Sequence, residues 1–123
     1  MSFWSGEKIL VTGGGGLLGT HVVKGLERRD CADVIVVRSR DCDLTKEEAV
    51  ARLFERTRPG IVFHLAGLVG GILPNKERPA EYFYANLMMG TLVLHHAWRS
   101  GVSKLVAAGA GWPRSSDGAV WPR

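Results

Sequence analysis

The chain alternates short runs of β-branched and aliphatic residues with segments whose apolar positions recur every three or four residues. Lys8-Ile-Leu-Val-Thr12 has the continuous apolar character of a strand buried on both faces. Leu17, Leu18, Val22 and Leu26 follow helical spacing, which predicts a helix over about 17–29. Asp33-Val-Ile-Val-Val37 reads as a second strand. Thr45, with Glu48 three residues on, has the form of a capping box before a helix whose buried stripe is Val50, Leu53 and Phe54. Arg58-Pro59-Gly60 ends that helix, because proline offers no N–H and glycine turns freely. Ile61-Val-Phe-His-Leu65 is a third strand, followed by a glycine-bearing loop over 66–78. A long helix over about 79–100 places Ala80, Tyr84, Leu87, Met88, Thr91, His95 and Trp98 on one face and stops at Gly101. Lys104-Leu-Val-Ala-Ala108 is a fourth strand.

This βαβαβαβ alternation predicts an α/β domain: a doubly wound parallel sheet with right-handed crossovers and helices on both faces. If the long third crossover carries the chain back over strand one, the order is 3-2-1-4 and the ligand crevice lies between strands one and four. After Gly111 both periodicities stop. Residues 1–111 are therefore read as an incomplete domain and 112–123 as an irregular tail, truncated or frame-shifted, on a chain that is expected to be cut short.

Composition narrows the picture without changing it. With 46% apolar and 23% charged residues over 123 positions, the chain has the means for one small globular core. The net charge is +4, but apart from Arg28-Arg29, Arg38 and Arg40 the positive residues are scattered. No basic face interleaved with aromatics emerges, so nucleic acid is not an expected partner. Cys31 and Cys42 are too few and too isolated for a disulfide framework or a zinc site, and suit a reducing cytoplasm. No apolar run approaches the roughly 18 residues of a membrane span, and the N-terminus has no apolar signal core. A cytoplasmic protein with no metal and no membrane contact is expected.

The candidate chemistry begins where strand one ends. Gly13, Gly16 and Gly19 give Gly-x-x-Gly-x-x-Gly between a strand and a helix, with Leu17 and Leu18 in the first helical turn. Helix N-termini carry unpaired N–H groups and partial positive charge, so this context points to a dinucleotide pyrophosphate. A nucleotide-triphosphate loop fits poorly, because Thr20 stands where a lysine is required. At the end of strand two, where an acidic residue would accept a ribose 2′-hydroxyl, Arg38 and Arg40 suit a 2′-phosphate. NADP is therefore expected over NAD, the alternative being a solvated pairing of the arginines with Asp41 or Asp43. Asp43 and Leu44 either cradle the adenine or, for Asp43, begin the turn before Thr45. Leu65, Ala66 and Gly67 are placed to let backbone approach the cofactor, and Asn86 to tie a helix to a strand end. His21, His64, His95 and His96 read as packed or half-exposed side chains, and Trp98 and Met88-Met89 as core material.

Val11-Thr-Gly-Gly-Gly-Gly-Leu-Leu-Gly19, Arg38-Ser-Arg-Asp-Cys-Asp-Leu44, His64-Leu-Ala66 and Val69-Gly-Gly-Ile72 resemble the extended short-chain dehydrogenase/reductases, the NAD-dependent epimerase/dehydratase group. Asn75, Pro79, Tyr84, Asn86, Met88-Met89 and Lys104-Leu-Val narrow the resemblance to its nucleotide-sugar epimerase-reductases, over about residues 7–111. The resemblance implies a Rossmann-type fold and NADPH-dependent epimerisation and reduction of a keto-sugar nucleotide. It also implies cofactor contacts at the residues above and sugar contacts at Val69, Gly70 and Gly71. The family's catalytic serine lies in Gly-Ser-Ser-Cys after strand four, where this chain has Gly109-Ala-Gly-Trp112. The family's Tyr-x-x-x-Lys pair lies further on, on a later helix; here Tyr82 and Tyr84 are followed four places on by Asn86 and Met88, and no such dyad exists. No catalytic residue is assigned, and the chain alone is expected to be inactive. Strand four, lacking its usual neighbours, is expected to be an exposed edge that promotes self-association or a homodimer.

Overall fold

The computed structural model describes residues 4–31, 33–67 and 79–108. Val69, Gly70, Gly71, Asn75 and everything from Gly109 onward, the tail included, lie outside the described residues. Seven elements follow in order: β1 (Lys8–Thr12), α1 (Leu17–Glu27), β2 (Asp33–Val37), α2 (Glu47–Thr57), β3 (Ile61–His64), α3 (Pro79–Arg99) and β4 (Lys104–Ala107). The strands form one parallel sheet. Every element expected from the periodicity is present, and the class is the expected doubly wound, Rossmann-like α/β fold.

The strand order differs from the expected 3-2-1-4: it is β2-β1-β3-β4, with β3 hydrogen-bonded directly to β1. The reason lies in the layers. Leu26 of α1 packs with Ile9, Val11 and Ile61 on one face of the sheet. Val50, Leu53 and Phe54 of α2 pack with Leu10, Val62 and residues Met89, Leu92, Val93 and Ala97 of α3 on the other. A right-handed crossover ties the layer of a helix to the direction in which its strands advance. Because α1 and α2 occupy opposite layers, β3 must lie on the opposite side of β1 from β2. The chain thus recrosses β1 through α2, one connection earlier than expected, and the switch point falls between β1 and β3. Register brings Thr12, Val37 and His64 level at the carboxyl edge, so the crevice opens over their ends.

Local chemistry explains the element boundaries. The anticipated capping box at Thr45 does not form; α2 begins at Glu47 with Lys46 as an N-cap that makes no side-chain bond. Thr45 is held instead by Asp43, whose Oδ1 accepts from Thr45 N at 3.0 Å and from Thr45 Oγ1 at 2.6 Å. An Asp bonding forward by two residues makes an Asx turn, which competes with helical backbone and delays the helix start. Glu47 and Glu48 in the first turn and Arg56 in the last complement the helix dipole. The helix ends on Arg58 in the left-handed region (φ 46°, ψ 57°), its N–H bonded to Phe54 O at 3.0 Å. The turn that glycine was expected to make is therefore made by Arg58, before Pro59. Gly101, at φ +79°, follows α3 as expected.

In α3 the face grouped by spacing is largely exposed, and of the residues expected in the core Met89 is buried and Met88 packs against it, whereas Trp98 is not. Tyr84, Leu87 and Trp98 are exposed, Trp98 to 77%, as are Thr91 and His95. Met89, Leu92, Val93 and Ala97 face the sheet and α2. The helix carries apolar residues on every side, so spacing alone cannot select the face that is buried. At the start of α1, Leu17 and Leu18 are likewise exposed, whereas Gly19 and Leu26 are buried. Among the described residues β4 is an edge strand, with Lys104, Val106 and Ala107 exposed, as the pattern anticipates. No described helix is long and apolar enough to cross a membrane.

Candidate functional site

The carboxyl ends of β1, β2 and β3, with the start of α1 and the first half of α3, enclose a groove of about 710 Å³. At one end lie Gly13 and Gly16, at the other Arg38, Arg40 and Asp43, with Leu44 at the rim and Ala66 and Gly67 across the switch point. Eight of the residues singled out from the sequence thus meet in one cleft. A second hollow of about 640 Å³ lies beyond Cys42 against α2, lined by Arg52, Glu55 and Arg56 and containing none of the glycines. The first hollow is the candidate site, because it alone sits at the switch point where open α/β sheets bind ligands.

The glycines have separable reasons. Gly13 has φ +74°, and a Cβ there would stand 2.6 Å from Ala66 N and 2.7 Å from Leu65 C. The backbones of the β1 and β3 ends approach too closely for any side chain. At Gly19, a Cβ would overlap Gly13 O and lie 2.7 Å from Gly14 Cα, so α1 packs directly on the turn. At Gly16 the fold makes no such demand: a Cβ would meet only Gly13 O at an ordinary 3.6 Å. Gly16 is the N-cap of α1, without a side-chain cap, and the first turn carries no acidic residue. The N–H groups of Leu17 and Leu18 therefore sit at an uncapped positive helix end beside the groove, the arrangement that receives an anion.

At the far end Arg38 and Arg40 are exposed, and among the described residues neither is paired with a carboxylate. Asp43 spends its Oδ1 on Thr45, so the turn-forming role weighed for it is the one observed. Those bonds hold its carboxyl below the usual range. Arg38 reaches back toward the glycines, its Nε 4.0 Å from where a Gly15 Cβ would stand. One guanidinium thus spans from the β2 end of the groove to the glycine turn.

Between the two ends, Thr12 staples the switch point. Its Oγ1 accepts from Leu65 N at 3.1 Å and Ala66 N at 3.2 Å, and lies 2.7 Å from His64 Nδ1. Thr12 is fully buried and His64 nearly so, and burial holds the imidazole below its ordinary pKa. The side chain of Leu65 turns to the α1 layer, leaving its backbone at the groove. Asn86 brings its Oδ1 to 3.7 Å from where a Gly67 Cβ would be.

Several lining residues escaped the sequence reading. Thr12 passed for strand material, although a hydroxyl as the last strand residue before a glycine turn is the signal that marks it. Ser39, between the two arginines, lines the groove, as do Ala85 and Met89, one helical turn apart on α3. Cys42 also lines it, with its thiol pushed up by burial and thus protonated near neutrality. Among the described residues no group of three or more His, Cys, Asp or Glu could hold a metal ion.

Comparison with known proteins agrees with this geometry. Residues 9–113 match the NAD dependent epimerase/dehydratase family, and the chain belongs to that family. A GDP-L-fucose synthase from Sinorhizobium fredii is 37% identical over 110 residues, which cover 89% of this chain and 35% of the relative. One from Dictyostelium discoideum is 36% identical over 105 residues, covering 84% of this chain and 33% of the relative. The chain spans about a third of the length of these curated relatives. Among solved structures, a GDP-mannoheptose C4 reductase from Campylobacter jejuni with NADP bound superposes with a TM-score of 0.79 at 31% identity, covering 86% of this chain and 33% of that one. A Thermus thermophilus UDP-glucose 4-epimerase in complex with NAD superposes with a TM-score of 0.72 at 31% identity, covering 80% of this chain and 36% of that one.

Proposed function

We propose that this chain is the NADP-binding part of a GDP-L-fucose synthase-like nucleotide-sugar epimerase-reductase. The observation that carries the reading is the groove itself. It has glycines and a bare helix N-terminus at one end and two arginines without a described carboxylate partner at the other. The first end suits a pyrophosphate, and the second a ribose 2′-phosphate, which guanidinium groups bind bidentately. The cofactor residues are Gly13, Gly16, Leu17, Leu18, Gly19, Arg38, Arg40, Asp43, Leu44, Leu65, Ala66, Gly67 and Asn86. Val69, Gly70 and Gly71 would face the sugar. The cofactor, when bound, supplies the hydride; the residues of this chain bind and orient it.

The family resemblance supports this reading further: its catalytic serine would fall at Gly109-Ala-Gly111, which has no hydroxyl, and its Tyr-x-x-x-Lys pair belongs to a later helix. We propose an incomplete domain, residues 1–111, followed by an irregular tail, in a cytoplasmic chain without turnover of its own. Titration with NADPH and NADH tests the cofactor; sugar-dependent NADPH oxidation with GDP-4-keto-6-deoxymannose tests the inactivity. Turnover would overturn the incomplete-domain reading. A second reading is an NAD-dependent sugar epimerase or dehydratase, favoured by the Thermus neighbour that holds NAD. A third is a non-catalytic dinucleotide-binding module, favoured by Gly109-Ala-Gly111 in place of the serines. The exposed β4 edge supports self-association. Sedimentation should show a dimer or larger species that Val106→Lys weakens.

A further inference from the structure

The contacts of Thr12 leave one proton whose position can be deduced. A hydroxyl has two lone pairs and one hydrogen. The Thr12 Oγ1 accepts from the Ala66 N–H and from the Leu65 N–H, the latter shared with the Thr12 carbonyl at 3.1 Å, which occupies both lone pairs. Only the O–H remains to fill the 2.7 Å contact with His64, so it donates to Nδ1, and the ring proton resides on Nε2. We propose that His64 is a positioning residue of the cofactor groove: by accepting the Thr12 hydroxyl at Nδ1, it aims both Thr12 lone pairs at the Leu65 and Ala66 N–H groups and so sets the Leu65-Ala66-Gly67 backbone against the glycine turn. The inference rests on the dinucleotide reading of that groove.

The clearance shows why such aim matters. A Gly13 Cβ would stand 2.6 Å from Ala66 N, so the two backbones already meet at the limit of approach. A shift of Ala66 by a few tenths of an ångström alters the floor between the two ends of the groove. Register places His64 directly opposite Thr12, and both side chains lie on the α2–α3 side of the sheet with Leu10, Val62 and Met89. Protonation of His64 puts a hydrogen on Nδ1 facing the hydroxyl hydrogen, and one of the three Thr12 bonds must then be given up. Burial is what lowers this imidazole. The titratable and charged groups on the elements flanking it are Glu81, Tyr82, Tyr84, His95, His96 and Arg99 on α3 and Lys104 on β4. The imidazole is held below its ordinary value of 6.5, so the neutral form is favoured by folding. The arrangement is complete above that value and is lost as pH falls below it through the folded pKa.

The test uses the 123-residue chain and NADP⁺, titrated calorimetrically from pH 8 to pH 5. The ligand's own phosphate titrates equally in every variant, so ratios between variants isolate His64. His64→Leu removes the acceptor and is expected to weaken binding about tenfold at pH 8, the loss of roughly one buried hydrogen bond. His64→Asn offers an amide oxygen at the same branch and cannot titrate. It should recover most of that loss and decline less than wild type on acidification. If His64→Leu does not fold, the wild-type and His64→Asn profiles decide the matter. Nitrogen NMR of the wild type should find Nδ1 bare and Nε2 protonated at neutral pH. Identical pH profiles for wild type and His64→Asn, or a proton on Nδ1 at neutral pH with normal binding, overturn the positioning role alone. Absence of NADP⁺ binding by the wild type overturns the dinucleotide reading, and the role with it.

Discussion

The two ends of the groove are built on opposite terms. At the glycine turn, the fold and the ligand site are the same object. Gly13 and Gly19 are required by backbone packing that exists before any ligand arrives, and the bare start of α1 is a by-product of it. At the arginine end, the side chains that would choose between cofactors are exposed and bear on nothing the core needs. The difference teaches where generality and specificity reside. A switch point with a tight turn can hold any dinucleotide; in the function proposed, the selection between NADP and NAD would rest on two side chains that are free to change.

Four substitutions break or sharpen that contrast, from the largest effect down. Gly19→Ala sets a methyl into the Gly13 carbonyl, which is backbone and cannot swing aside. Chemical denaturation should register a loss of about 3 kcal/mol, and dinucleotide binding should vanish with the turn. Thr12→Val keeps the shape but strands the Ala66 N–H and removes the donor to His64, while the Leu65 N–H keeps the Thr12 carbonyl. A loss of about 2 kcal/mol is expected, of which Thr12→Ser recovers most. Gly16→Ala separates ligand from fold. Its Cβ makes only an ordinary contact, so stability should fall by about 1 kcal/mol or less while cofactor affinity falls about tenfold or more. Equal and large losses in both would show that Gly16 serves the fold after all. The smallest effect is expected at Asp43. Its carboxyl is held low by the two Thr45 bonds, so its contribution is complete above about pH 4 and is lost as pH falls through the folded pKa. Asp43→Asn should flatten the acid limb of a thermal-melting profile and leave neutral pH little changed.

Much of this was legible in the sequence, and the exceptions share a cause. The β-branched runs placed all four strands, and Val50, Leu53 and Phe54 gave the correct face of α2, because that helix is polar elsewhere. In α3 the same spacing grouped Tyr84, Leu87 and Trp98 on one face, and that face, with Trp98 expected in the core, is exposed. An all-round apolar helix leaves its buried face to be set by what it meets, here the Val50, Leu53 and Phe54 stripe of α2. The strand order depends on the same long-range contact: once α2 shares a layer with α3, β3 must pair with β1. The tight turn was legible where backbone geometry writes it, at Gly13 and Gly19. The groove was less legible where a single hydroxyl carries the load. Thr12 looked like the end of a strand because its three partners lie more than fifty residues away or across the sheet.

The central claim is that the groove is a dinucleotide site whose arginine end prefers a 2′-phosphate. The most direct test is calorimetric titration of NADPH and NADH into the wild type and Arg38→Ala. The account predicts that the wild type binds NADPH about tenfold or more tighter than NADH. Arg38→Ala should erase that preference by weakening NADPH alone, with stability unchanged to within about 0.5 kcal/mol. Equal affinity of the wild type for both cofactors, or a preference that survives in Arg38→Ala, would contradict it.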